Sequence, residues 1–209
     1  MLMPSTTVTC QNTYPSIFGA WSNKIPMLRC GQPVQDSSFL CLCLLCNTPH
    51  DIAQHIQELS CLPVGLLDIN GLYCSGNFTR LELEDLDSCV VPMLFYIEAD
   101  MDFTKSLIFV SFDCAGKELS SRVLATDDNS MRPLKEKTDE LLFNMFQYIV
   151  LGNNLYVREC QYNNELMLDN TKTSTYRIFH NGSIQRIPSE KKSDVFESLP
   201  VPPQKWNDF

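Results

Sequence analysis

Leu62-Pro63-Val64-Gly65-Leu66-Leu67-Asp68-Ile69-Asn70-Gly71-Leu72-Tyr73-Cys74-Ser75-Gly76-Asn77 decides how this chain is read. An apolar run of strand composition leads into glycine, serine and asparagine, which mark a tight polar corner. Upstream, Thr48-Pro49-His50-Asp51 offers an N-cap, a proline at the first helical position and an acid in the first turn. A helix over 51–60 follows, with Ile52, Ile56 and Leu59 at helical spacing and His55 flanking that stripe. Before it, residues 38–46 form a continuous apolar run, the pattern of a strand covered on both faces.

Downstream, the acidic segment 79–89 reads as a helix or turn with Leu83 and Leu86 facing inward. Strands are expected over 92–99, 106–112 and 118–125, joined as a meander by turns at 100–104 and 113–117. The longest helical pattern covers 133–151, with Leu134, Leu141, Leu142, Met145 and Ile149 on one side and Gly152 as its stop. Further strands are expected over 155–160 and 173–187, the second a hairpin because Asn181-Gly182 suits positive φ angles.

The ends look different. Residues 1–36 are rich in Ser, Thr, Gln and Pro, with aromatic islands at Tyr14, Phe18 and Trp21 and one strand over 25–30, and read as a loosely structured lead-in. From 188 onward Lys, Ser, Glu and Pro predict a mobile tail through Pro202-Pro203-Gln204-Lys205-Trp206. The expected organisation is therefore a lead-in over 1–36, a single globular domain over 37–187 and a tail over 188–209. Its fold class is α/β (α+β): a curved mixed β-sheet flanked by helices, with an added C-terminal helix and hairpin.

With 209 residues the chain can bury a core without disulfide or metal staples. Its 44% hydrophobic and 20% charged content excludes wholesale disorder. A net charge of −9 and a pI near 4.7 repel a phosphate backbone, so no nucleic-acid partner is expected. The longest apolar run, 39–46, is too short to cross a bilayer, and the N-terminus lacks the basic and apolar regions of a signal peptide. A soluble protein of the cytoplasm or nucleus, without membrane insertion, is the expectation. Ten cysteines, with Cys41, Cys43, Cys61 and Cys89 in hydrophobic runs, then read as reduced thiols. Asn77-Phe78-Thr79 and Asn181-Gly182-Ser183 match the glycosylation triplet, but three residues without a secretory signal carry little weight.

Candidate chemistry is sparse. Cys41, Cys43, Cys46 and His50 carry zinc-ligand atoms, yet strand alternation puts Cys46 on the face opposite Cys41 and Cys43. No metal or cofactor is expected. A cysteine nucleophile needs a histidine base, and the three histidines are His50, His55 and His180. Cys74 in the polar corner and Cys114 in Asp113-Cys114-Ala115-Gly116 are the thiols that least resemble core residues. A thiol-dependent hydrolase using Cys74 or Cys114 with His50 or His55 is the alternative reading. Glu82, Glu84, Asp85 and Asp87 read as a solvated face. Trp206 and Phe209 either dock in a partner's groove or cover the domain's own surface.

The order of helix, buried strand, Gly71-Leu72-Tyr73-Cys74-Ser75-Gly76-Asn77, acidic segment and a strand ending near Asp100 resembles the heart of the MPN (JAB/JAMM) family. In active members of that family the strand ends Gly-Trp-Tyr-His-Ser-His-Pro, and its two histidines with a downstream Asp bind a catalytic zinc. Here Gly71, Tyr73 and Ser75 match, whereas Cys74 and Gly76 stand at the histidine positions and the 39–46 strand has no glutamate. The resemblance implies an MPN-like core with a degenerate motif at Gly71, Tyr73, Cys74, Ser75 and Gly76, in which a three-ligand zinc cannot assemble. It further implies a pseudoenzyme: a scaffold or adaptor in a larger complex, with a protein partner in a hetero-oligomer. The layout is similar to metal-free MPN-like regions among ubiquitin-fold-modifier proteases, which implies a link to ubiquitin-like modifier handling. The cysteine-bearing Gly-Cys-Ala-Tyr-type motif of those proteases is missing. A lineage-specific or viral regulatory β-rich protein remains a further alternative.

Overall fold

The computed structural model describes residues 17–35, 74–99, 104–127, 143–162, 165, 167–188 and 194–205. They form an α+β structure made mostly of strands, arranged as two five-stranded sheets that do not close into a barrel. A short helix, α1 (Ile17–Ser22), leads into β1 (Met27–Leu28) and β2 (Val34–Gln35). Then follow β3 (Cys74–Leu81), β4 (Val91–Ala99), β5 (Thr104–Phe112) and β6 (Glu118–Asp127). The second half supplies β7 (Phe143–Leu151), β8 (Asn154–Tyr162), β9 (Leu168–Ile178), β10 (Ile184–Ile187) and a 3-10 turn, Asp194–Glu197.

The first sheet runs β1-β3-β4-β5-β6 and is mixed, because β1 pairs parallel with β3 while the other neighbours are antiparallel. Its β4-β5-β6 part is the meander expected from the pattern. The β5–β6 turn closes on Asp113, whose Oδ1 accepts the amides of Ala115 and Lys117 at 2.9 Å each. Gly116 in that turn has φ +88°, and a Cβ there would sit 2.7 Å from the Phe18 ring. Only glycine meets both demands. The second sheet runs β10-β9-β8-β7-β2 and is antiparallel throughout.

The inner faces of the sheets share one core, in which Leu94, Tyr96, Leu107 and Phe109 meet Phe146, Tyr148, Val150, Leu155 and Val157. The Tyr176 hydroxyl crosses it to donate to the Leu124 carbonyl at 2.8 Å. Both outer faces are covered too. On the first sheet, α1 delivers Phe18 and Trp21 onto Phe78, Phe95 and Phe112. On the second, Phe196 and Leu199 of the C-terminal segment pack beside Ile149, Leu151 and Tyr156.

Several expectations change. The helix expected over 133–151 is strand β7 from Phe143 on, with residues 145–150 all buried and residues 133–142 outside the described set. Gly152, read as its stop, instead takes φ +56° in the turn that lets Leu151 pair with Asn154. The 79–89 segment, expected as a helix or turn, continues β3 to Leu81 and then takes the turn, with Leu83 and Leu86 packed against the core as expected. The lead-in expected to be loose contains α1, whose Phe18 and Trp21 are each 5% exposed. The tail expected to be mobile is docked over residues 194–205. In the 173–187 hairpin Gly182 has φ +83°, but Asn181 does not share the positive sign, and a three-residue loop replaces the two-residue turn. The strand over 38–46, the helix over 51–60 and the strand preceding Cys74 lie outside the described residues.

Candidate functional site

From Cys74 on, the expected polar corner is strand. Cys74, Ser75 and Gly76 open β3 and pair in regular antiparallel register with Ala99, Glu98 and Ile97 of β4. A strand covers this stretch because β4 offers a nine-residue template, and the ladder satisfies the backbone groups that a turn would leave to side chains. Gly71, Tyr73, His50 and His55 lie outside the described residues.

Cys114 sits at the other end of the same sheet, exposed in the β5–β6 turn, where its Sγ contacts the Ser88 carbonyl oxygen at 3.9 Å. Cys74 is aligned with Ala99 and Cys114 lies beyond Phe112, which is aligned with Val91. Eight strand steps thus part the two thiol regions, roughly 27 Å at strand rise. They cannot serve one site. The described histidine, His180, is exposed in the β9–β10 turn, where its carbonyl accepts the Asp87 amide at 3.0 Å. Among the described residues no three His, Cys, Asp or Glu side chains gather into a metal-binding group. Glu82 accepts the Cys30 amide at 3.4 Å, and Asp85 takes a positive φ of 53°, so the acidic segment works as turn material.

The most developed polar arrangement among the described residues lies on the outer face of the second sheet. Alternation along β8 directs Tyr156, Arg158, Cys160 and Tyr162 to that face. The Arg158 guanidinium donates to the Phe196 carbonyl, to the Pro200 carbonyl at 3.1 Å and to Gln147 Oε1 at 3.1 Å. Gln147 is fully buried, so this bond is made away from water. Farther along, the Tyr162 hydroxyl donates to the Pro203 carbonyl at 2.9 Å. The Leu168 amide donates to the Gln204 carbonyl at 2.9 Å, and Met167 bridges Lys205 in antiparallel fashion. Phe196 fills the space beside Tyr156, the rings edge-on with centroids 5.6 Å apart.

Compared with known proteins, the chain matches no family model, no curated protein and no solved structure.

Burial pushes the Cys160 thiol up to about 11, against a smaller opposing effect of Arg158. Burial, and then the neighbouring Cys160, push the Tyr162 phenol up to about 12. Both groups stay protonated at neutral pH: Tyr162 remains a donor, and Cys160 is a packing residue rather than a nucleophile. Taken together, the face presents donors to main-chain carbonyls, a slot for one aromatic ring and a strand edge. That is equipment for holding extended chain. Arg158, Gln147 and Tyr162 were not singled out from sequence, yet a signal existed: an arginine amid apolar residues of a strand face requires acceptors. Trp206 and Phe209 lie just past the docked segment, outside the described residues.

Proposed function

We propose that the chain is a non-catalytic protein-interaction module, a scaffold or adaptor that joins a protein partner in a hetero-oligomer. One observation carries this reading: the outer face of the second sheet holds residues 194–205 chiefly through donors aimed at backbone carbonyls. Recognition of backbone rather than side chains is the usual way a sheet surface receives extended peptide from another chain. Kinship with metal-free MPN-like domains, and a role in ubiquitin-like modifier handling, form the narrower version of the proposal. Gly71, Tyr73 and Ser75 are the residues that support it.

Cross-linking of the full-length chain in cells, with the linked sites mapped by mass spectrometry, tests the reading. A defined partner linked to Lys205, at the margin of this face, is the expected result. Exposure to an electrophilic ubiquitin-like probe tests the catalytic alternative. A covalent adduct at Cys74 or Cys114, lost on substitution by serine, overturns the scaffold reading, as does one tight zinc per chain lost with Cys74→Ser.

A further inference from the structure

Three turns meet at one end of the two-sheet stack: residues 82–90, the β5–β6 turn and the β9–β10 turn. The Asp87 amide binds the His180 carbonyl at 3.0 Å. The buried Ser111 hydroxyl donates to the Gly182 carbonyl at 2.8 Å, and a Cβ on Gly182 would lie 2.9 Å from Val90. Two cysteines, Cys89 and Cys114, stand among these contacts.

We infer that Cys89 and Cys114 are a redox modification site, joined as a reversible disulfide by a peroxide-class oxidant. Two independent observations carry this. First, the β4–β5 ladder ends on the pair Val91–Phe112, and Cys89 and Cys114 each stand two residues beyond it, on the two chain segments that leave that pair. Paired residues of such a ladder have Cα atoms about 4.5–5.5 Å apart and a disulfide bridges about 4.4–6.8 Å, so the two segments set out from within its reach. Second, Cys114 Sγ lies 3.9 Å from the carbonyl oxygen of Ser88, the peptide group attached to the Cys89 Cα. Cys114 is exposed and Cys89 half-buried, so an oxidant reaches the pair from solvent. The other described cysteines are placed elsewhere, Cys74 at the far end of the first sheet opposite Ala99. Cys30 sits beside Gly152, whose amide donates to its sulfur at 3.3 Å, and Cys160 is buried on the second sheet.

The chemistry balances with hydrogen peroxide. The Cys114 thiolate attacks one peroxide oxygen, the O–O bond breaks, and hydroxide leaves, giving a sulfenic acid. The Cys89 thiolate then attacks that sulfur, the S–S bond forms, and the S–O bond breaks with loss of hydroxide. The protons released by the two thiols turn both hydroxides into water. Two thiols are oxidised by two electrons in all, and one peroxide is reduced to two waters. The bond ties the turn that grips the second sheet's hairpin to the β5–β6 turn of the first sheet's meander.

Trypsin supplies a clean assay, because cleavage after Arg80, Lys105 and Lys117 puts Cys89 alone in 81–105 and Cys114 alone in 106–117. The full-length protein is treated with one equivalent of hydrogen peroxide, alkylated and digested without reduction. The expected result is a 81–105/106–117 linked peptide, a loss of two titratable thiols, and recovery of both with dithiothreitol. Cys89→Ser and Cys114→Ser should each abolish the link. Linkage of either residue to a different cysteine, or recovery of both as unlinked alkylated thiols while the circular dichroism stays native, overturns the assignment.

Discussion

The two outer faces of the sheet pair are closed in contrasting ways. On the first sheet, five rings form a closed circuit, Phe18–Trp21–Phe78–Phe95–Phe112, with centroids 4.8 to 6.4 Å apart. On the second, a strap of chain is held by Arg158, Tyr162 and a strand bridge, with apolar contact from Phe196 and Leu199. The first seal is core that happens to come from a helix, and its stability is area and ring geometry. The second is directional and meets backbone, so it can be undone one bond at a time while the sheets stay paired. Loss of the first should be global, and loss of the second local.

The largest effect should follow Trp21→Ala. It removes a side chain 5% exposed and opens the ring circuit at two contacts. A loss of about 3–5 kcal/mol in global stability is expected, with an unchanged slope in urea unfolding. If instead the midpoint holds and only α1 becomes susceptible to protease, the helix is a strap like the other and the contrast collapses.

Arg158→Ala should cost less, about 2 kcal/mol, and mostly locally. It removes the bond made to the buried Gln147 side chain and frees the Phe196 and Pro200 carbonyls. Chymotrypsin cleavage after Phe196, a residue only 9% exposed, should accelerate at least tenfold while the near-ultraviolet signal of the core persists. A global melt equal to that of Trp21→Ala would show that the strap is core after all.

These two covers also differ in how far the chain announced them. The meander was legible because strands 91–99, 104–112 and 118–127 are separated by turn chemistry, as in Asp113 to Gly116. Strand β7 was not, because Met145 and Ile149 lie four apart, as on a helix face, while both faces of the strand are buried and the polar alternation is missing. Gly152-Asn153 was the overlooked correction, a two-residue hairpin signal mistaken for a helix end. Around the candidate site, composition misled. The Pro, Ser and Lys content of the tail hid three anchors, Val195, Phe196 and Leu199, whose burial depends on a sheet face that no local pattern reveals. The expected corner misled from Cys74 on for the same reason, since pairing with β4 overrides the turn preference of Ser75 and Gly76.

Alkaline pH sharpens the contrast further. The second sheet's seal carries a thiol and a phenol that burial has raised, Cys160 to about 11 and Tyr162 to about 12. Their neutral forms are favoured in the folded state, so stability is full below the unfolded values near 9.0 and 10.0 and is lost as pH rises through the folded ones. A fall of up to ~2 kcal/mol between pH 9 and pH 11 is expected in the urea midpoint. Cys160→Ala should flatten that slope even though it lowers stability at pH 7. An unchanged slope would mean that the thiol does not reach the buried environment assigned to it.

The smallest effect should come from Tyr162→Phe, which keeps the ring packed with Met145 and Cys160 and deletes only the hydroxyl that binds the Pro203 carbonyl. The expected cost is about 1 kcal/mol, since Pro203 is only half-buried and water can replace the donor. Global unfolding should barely register the change. The informative readout is hydrogen exchange at Leu168, whose amide is held by Gln204 one residue beyond Pro203. Exchange there should quicken severalfold, while cleavage after Phe196 stays slow because Arg158 still grips the other end of the strap. Combining Tyr162→Phe with Arg158→Ala then decides how the strap releases. If it opens as independent segments, the two effects on cleavage after Phe196 simply add. If it opens as one unit, the pair should accelerate cleavage by more than the product of the single effects, because each anchor limits the opening that the other permits.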